Sequence, residues 1–465
     1  MKAFKSDPHI ERLSQVKQRA GLILALICLT GRLALPGYSQ TPVTDLRWFL
    51  TGSLKTYRYG HTATLLPNGK VLVVGGGLPC SGSDCSSTAN IRAELYDPAN
   101  MIWSYTGSLN NRRAGHSATL LQNGQVLVAG GHYLGSYDNS AELYDPVTGQ
   151  WRLTGSFNTI QAYNSATLLR NGKVLAVGES NLDSDHVIDS AELYDPATGK
   201  WSITAPPSIG VGRTTLLSSG KVLAVSRGSS ELYDPETETW SGTDNLNVIR
   251  FEVLATLLQN GKVLVTGTDE NGSIPNAELY DPETGTWSIT GSPQQTGGTD
   301  TLLSDGRVLA AGGFDNSEYV SVPGAELYDP ATGKWSITSH LNAARSGHTA
   351  TLLPDGKVLV TGGVDTYFEF GFAYLDSAEL YGLIAVPRIV SASIEGKRLF
   401  VVGENIDHGA MLLLNGVEQV TKNDPQNPHT VLIGKKAGKN LKPGDKLQVR
   451  NPNGTVSQEF TFTSG

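Results

Sequence analysis

The chain of 465 residues has 53 glycines, 39% hydrophobic residues and a net charge of −8. Residues 1–40 carry +4 and residues 387–465 carry +3, which leaves −15 on residues 41–386. That acidic body excludes a nucleic-acid partner, which needs a basic footprint, while the glycine content and regular strand signals point to one large all-β body.

Residues 1–20 are polar with a basic excess, Ala20 to Leu29 is an apolar run, and Gly37-Tyr38-Ser39 places small residues before Gln40. This order predicts a secretory signal over residues 1–40. Ten apolar residues are too few to span a bilayer, and Arg32 interrupts the run. The mature chain is therefore expected outside the cell, on its surface or in the periplasm, with no transmembrane span. Cys28 follows Leu26-Ile27 and lacks the small preceding residue expected of a lipidated cysteine.

Asp45 to Ser53 (DLRWFLTGS) matches the end of a longer unit, Gly149 to Ser156 (GQWRLTGS), but has no counterpart of the rest of that unit in front of it. The complete unit runs from Arg113 to Trp151. Its apolar runs Ser117 to Leu121 and Val126 to Gly130 are joined by Asn123-Gly124, a dipeptide that favours the positive φ angles of a tight hairpin turn. A variable polar segment, the strand Ala141 to Tyr144 and the reversal Asp145-Pro146-Val147-Thr148-Gly149 lead to Trp151. Four antiparallel strands of this kind cannot bury both faces alone, so the unit must stack on copies of itself.

The copies are present. TLL recurs at Thr64, Thr119, Thr167, Thr215, Thr256, Thr301 and Thr351, and ELY at Leu95, Leu143, Leu193, Leu232, Leu279, Leu327 and Leu380. Seven four-stranded copies over residues 41–383 predict a seven-bladed β-propeller. Trp103, Trp151, Trp201, Trp240, Trp287 and Trp335 follow six of the ELY strands, and Trp48 is left over. The strand around Trp48 is therefore expected to complete the last blade and close the ring, removing exposed sheet edges. Cys80 and Cys85, the two cysteines beyond the signal, are expected to form a local disulfide across one loop.

The order Arg-x-Gly-His, TLLxNGKVLVxGG, ELYDP, Trp resembles the kelch repeat, in a form similar to the central domain of galactose oxidase and glyoxal oxidase. Arg-x-Gly-His is complete at Arg58 to His61, Arg113 to His116 and Arg345 to His348. Gly doublets stand at Gly75-Gly76, Gly130-Gly131, Gly312-Gly313 and Gly362-Gly363, so the third to fifth blades are expected to lack both features. The resemblance implies copper-radical chemistry through a Cys–Tyr cross-link and a His that directly follows a Tyr. This chain departs from it: Gly60, Gly115 and Gly347 precede the three histidines, and no Tyr-His dipeptide exists. The DPxTGxW turn resembles the sialidase Asp-box only superficially. Asp183, Asp185, Asp269, Glu270, Asp315 and Glu318 lie in polar stretches that read as solvated loops.

From Pro387 the pattern changes to short strands separated by Gly, Asn, Pro and Asp: Ser391 to Ile394, Arg398 to Val402, Ala410 to Leu414, Thr430 to Ile433, Lys446 to Val449 and Glu459 to Phe462. Residues 384–465 are thus expected to form a small β-sandwich. The runs PRIVSASIEGKRLFVVGENI, LLLNG and VRNPNGTVSQEFTF resemble an IPT/TIG immunoglobulin-like domain, which implies an adhesive or spacing role.

Function on a repeat scaffold resides on its variable loops, here the links between blades and the second-to-third-strand connections. The last, first and second blades should gather Arg345, His348, Arg58, His61, Arg113 and His116 beneath a loop containing Tyr367, Phe368, Phe370, Phe372 and Tyr374. Guanidinium forks and rings at a concave mouth suit an anionic or carbohydrate ligand. A residue that repeats with the blade is equally explained by packing, with Glu94, Glu142 and Glu379 as partners of the arginines. The sequence thus predicts an exported binding or adhesion protein with a protein or glycan ligand and no cofactor; the alternative is a carbohydrate-active enzyme, a diverged oxidase or a hydrolase.

Overall fold

The computed structural model describes residues 46–463 except 78–90, 134–135, 160–161, 184–185, 211, 270–271, 295–297, 316–317, 368–370, 384–386, 408, 426, 428–429, 440 and 452–455. The expected signal over residues 1–40, the Cys80–Cys85 pair and Phe368 lie outside the described residues. Seven four-stranded antiparallel sheets follow one another along the chain. Their first strands are Thr62–Leu65, Ser117–Leu120, Ala162–Leu168, Arg213–Leu216, Phe251–Leu257, Thr299–Leu302 and Thr349–Leu352. Each touches the next, and Thr349–Leu352 touches Thr62–Leu65, so these strands line a closed ring. We number the sheets as blades 1 to 7 in that order.

The ring closes as the leftover tryptophan predicts. Leu46–Leu50 pairs antiparallel with Ala378–Leu383, with Trp48 opposite Tyr381, and so supplies the fourth strand of blade 7. Every other blade takes its four strands from one continuous stretch of chain. Second strands such as Val71–Val74 and Val126–Ala129 are buried throughout, because neighbouring blades cover both faces.

The ELY signature is a set of blade-to-blade fasteners. Each Tyr packs on the Trp of its own fourth strand at 5.0 or 5.1 Å, an aromatic contact worth about 0.5–1.5 kcal/mol beyond area burial. Its hydroxyl shares a hydrogen bond with a Thr in the link from the preceding blade, as Tyr96 does with Thr51 and Tyr381 with Thr338 (both 2.8 Å). The Glu beside it accepts a backbone N–H from the same link in all seven blades, from Lys55 in blade 1 to Asn342 in blade 7.

Short ribbons extend the second-to-third-strand connections at the variable end. They are His132–Tyr133 with Ser136–Tyr137, Phe314–Asp315 with Val320–Ser321, and Val364–Tyr367 with Gly371–Tyr374. Beyond the propeller, two further four-stranded sheets enclose a core in which Leu399, Val401, Leu412, Leu432, Leu447 and Val449 are fully buried. All six strands expected there form, with shifted ends, and Val417–Glu418 and Thr421–Asn423 add two that the sequence pattern did not reveal. Among the described residues, no helix is long and apolar enough to cross a membrane.

Candidate functional site

All seven blades converge on a cavity of about 990 Å³ around the inner strands. Its wall differs from one side to the other. On the side of blades 7, 1 and 2 it includes His348, His61 and His116 together with Gly347, Gly60 and Gly115. These glycines are left-handed, with φ of +59°, +58° and +61°, and they link the blades, Gly60 N–H donating to Gly347 C=O and Gly115 N–H to Gly60 C=O.

Arg58, Arg113 and Arg345 do not reach this wall, which corrects their expected placement beside a ligand. All three are fully buried. Arg58 Nη2 lies 2.7 Å from Glu94, Arg113 Nη2 3.2 Å from Glu142, and Arg345 Nη2 2.6 Å from Glu379. Nη1 of each donates to the carbonyl of the first glycine of its own blade's doublet, Gly75, Gly130 or Gly362. Burial pulls the Arg58 and Arg345 guanidinium pKa values down, and the paired carboxylates oppose that shift. The arginines thus brace the blade that carries them.

The histidines fasten each blade to the one before it. Nε2 of His61 shares hydrogen bonds with the Thr349 and Thr361 hydroxyls (3.0 and 3.1 Å), that of His116 with Thr62 (2.9 Å), and that of His348 with Thr299 (3.3 Å). Among the described residues, Nδ1 of each is covered and has no hydrogen-bond partner. Burial pushes the His116 and His348 pKa values down to about 3, and that of His61 well below the usual range, with the neighbouring Arg of each as the next cause. All three rings are neutral near pH 7.

The Gly doublet belongs to the same device. A Cβ on Gly75 would lie 2.6 Å from Cε1 of His116, one on Gly362 2.9 Å from Cε1 of His61, and one on Gly312 2.6 Å from Cε1 of His348. Each first glycine therefore makes room for the imidazole of the following blade. This explains why blade 6 has a doublet without its own Arg-x-Gly-His: its Gly312 serves blade 7.

Blades 4 and 5 build the opposite wall from different residues: the complete Arg-x-Gly-His and the Gly doublet are absent from both, as expected, but one residue of the motif survives. Arg250 stands six residues before Thr256, as Arg58 stands before Thr64. It is fully buried and paired with Glu278 at 2.9 Å, so blade 5 keeps the arginine. The following Phe251-Glu252-Val253 then places Glu252 at the glycine position, with φ of +49°, and Val253 at the histidine position. Likewise Ser226-Arg227 stands where blade 1 has Gly75-Gly76, and Arg227 also has φ of +49°. Left-handed backbone costs a non-glycine residue about 1–2 kcal/mol. Of the seven non-glycine residues with positive φ among those described, Arg227 and Glu252 alone line the cavity.

Arg213 occupies the inner-strand position that is Thr62 in blade 1 and Thr349 in blade 7. Its Nε donates to the Val253 carbonyl at 3.2 Å. The side chain is crowded by protein yet open to solvent, as the wall of a wide channel requires, and the crowding pulls its pKa down. Arg227 lies over the Phe251 ring at 5.5 Å, and a register shift between Phe251 and Leu254 bends the strand there. The sequence signal for these residues is positional: Arg213, Arg227 and Glu252 stand where blade 1 carries Thr62, Gly76 and Gly60.

Of the predicted aromatic loop, Tyr367 lies in a ribbon strand opposite Gly371, Phe372 is 67% exposed, and Tyr374 packs on Tyr59 at 5.3 Å. Among the described residues, no group of three His, Cys, Asp or Glu side chains could hold a metal ion. The three imidazoles have Nε2 engaged by threonine and Nδ1 covered, so the described residues do not fit a copper centre.

No curated protein matches the chain in sequence. The kelch motif is matched twice, over residues 112–158 and 300–342, which are blade 2 and blade 6. Among solved structures the chain is similar to a fungal alcohol oxidase with catalytic diversity among the AA5 family, solved in complex with copper. That likeness has a TM-score of 0.61 and 16% identity, and it covers 90% of this chain and all of the other. The chain therefore carries kelch motifs on a galactose-oxidase-like propeller fold.

Proposed function

We propose that this protein is an exported, non-enzymatic binding protein that takes its ligand at the mouth of the propeller cavity. The IPT/TIG-like sandwich then acts as a spacing or adhesive module. The observation that carries the reading is the asymmetric cavity: about 990 Å³, with neutral, hydrogen-bonded imidazoles on one wall and ionic side chains on the other. That volume lies at the upper end of what small-ligand sites use. The likeness to a copper alcohol oxidase supports oxidation as a second reading, and the engaged imidazoles weigh against it.

A glycan and peptide array probed with the purified protein tests the proposal, run beside copper quantitation and a hydrogen-peroxide assay on sugars and alcohols. Retention of a ligand without turnover is the expected result. Stoichiometric copper with peroxide release would replace it by the oxidase reading. Export is tested by fractionating the producing cells, and protein confined to the cytoplasm would sink that part.

A further inference from the structure

Three charged side chains surround one bulge in the cavity wall. Arg213 reaches from blade 4 to the Val253 carbonyl through Nε, which leaves both Nη groups without a hydrogen bond among the described residues. Arg227 lies over Phe251, the residue before Glu252. The backbone joins the same two places, Arg250 N–H donating to the Arg227 carbonyl at 2.6 Å. Among the described residues, none of Arg213, Arg227 and Glu252 forms an ion pair. Beside them, the Nε and Nη1 of buried Arg250 have no partner among the described residues, although Nη1 of its three counterparts is bound to a glycine carbonyl. Two of these positions are filled by charge where the backbone favours glycine, and such strain persists where surrounding structure holds it and function uses it.

We infer that this wall of blades 4 and 5 binds a small hydroxylated carboxylate, such as an acidic sugar; the inference rests on the binding reading above. Guanidinium forks bind carboxylate oxygens through paired N–H donors, and Arg213 is held for that by its single bond to the main chain. The unpaired Glu252 carboxylate accepts only, so it suits a hydroxyl donor on the same ligand. Two arginines against one glutamate leave a local charge of +1, matched to a singly charged anion, within residues 41–386 that carry −15 overall. Specificity follows from the spread of roles: a neutral sugar satisfies Glu252 and leaves the guanidinium groups unmatched, whereas a bare carboxylate does the reverse.

Calorimetric titration of the full chain with sodium D-galacturonate, sodium D-gluconate and D-galactose tests this. Galacturonate or gluconate should bind at least about tenfold more tightly than galactose, the margin of one charge-assisted contact. Arg213→Lys, Arg227→Gly and Glu252→Gly should each weaken that binding by about tenfold. The two glycine variants should melt no lower than the parent, which separates a binding role from a structural one. Failure of both anions to bind, or undiminished binding by Arg213→Lys and Arg227→Gly, overturns the inference. Array ligands that these variants still retain would leave the binding reading standing without it, whereas an array that retains nothing removes both.

Discussion

Blades 7, 1 and 2 and blades 4 and 5 share one backbone design and carry opposite chemistry. In the first group Gly60, Gly115 and Gly347 occupy the left-handed position before each histidine. The arginines there are spent on Glu94, Glu142 and Glu379. In the second group the backbone turns the same way at Glu252 and Arg227, but the residues that turn are ionic and, among the described residues, form no ion pair. The shape of a repeat is thus set by its neighbours and outlasts the glycines that first suit it. A departure from the repeat that keeps its shape marks chemistry better than the repeat does.

Acid offers the largest contrast between the two groups. His116 and His348 fall to about 3 when folded, against about 6.5 unfolded. Their contribution is fully present above pH 6.5 and is lost as pH falls toward 3, at about 1.4 kcal/mol per pH unit for each ring. By pH 4 their combined loss is on the order of several kcal/mol. Asp300 in blade 6 works against them, since burial raises its pKa to about 6. Urea melts from pH 8 to pH 4 should show a net fall, and His116→Asn, the residue that blade 3 carries as Asn164, should flatten it. A flat profile in the parent would break the view of neutral imidazole fasteners.

Next in size is the buried ion pair. Glu379→Ala strands the Arg345 charge and should cost about 3–5 kcal/mol in chemical denaturation. Glu231→Ala in blade 4 should cost markedly less, because Glu231 is held by Ser208 and has no arginine to orphan. Equal losses would erase the distinction between a glutamate that pairs a buried arginine, as in blades 7, 1, 2 and 5, and the glutamate of blade 4.

Asp300→Asn should stabilise the protein by about 2–3 kcal/mol at pH 7.5 and leave it unchanged at pH 4. The aspartate is favoured when protonated, so its contribution is present below about pH 4 and lost as pH rises through 6. Thr266 Oγ1, which donates to Asp300 Oδ2 at 2.8 Å, can donate equally to an asparagine oxygen.

A smaller loss, about 2 kcal/mol, is expected for Gly312→Ala, which combines a φ of +63° with a Cβ too close to His348 and to the Arg345 carbonyl at 2.7 Å. Gly371→Ala, with φ of +93° and nothing within 4 Å, isolates the backbone part. Glu252→Gly closes the series with a gain below about 1 kcal/mol, since relieved strain is partly offset by the flexibility of glycine in the unfolded chain. A loss of several kcal/mol there would show that Glu252 supports the fold, against its proposed role.

Much of this was legible in the chain. Asn-Gly and Asp-Gly marked the first turns, and Trp48 announced the closing strand that pairs with Ala378–Leu383. Glu94, Glu142 and Glu379 are the arginine partners that the repeat predicts, although those ion pairs lie within one blade, whereas the histidines reach the neighbouring blade. The site was less legible, because Arg250-Phe251-Glu252-Val253 shares only its first residue with Arg-x-Gly-His.

Sequence alone determined the blade, because period, turn dipeptides and the Tyr–Trp pair are local and each copy repeats them. Only the tertiary structure decided which side chains face the cavity. Arg58 and Arg213 are both arginines at the start of an inner strand, yet one is sealed against Glu94 and the other lines the cavity. The physical reason is register: a shift of a few residues along one strand decides whether a guanidinium meets a buried carboxylate or the cavity, and neighbouring blades set that register.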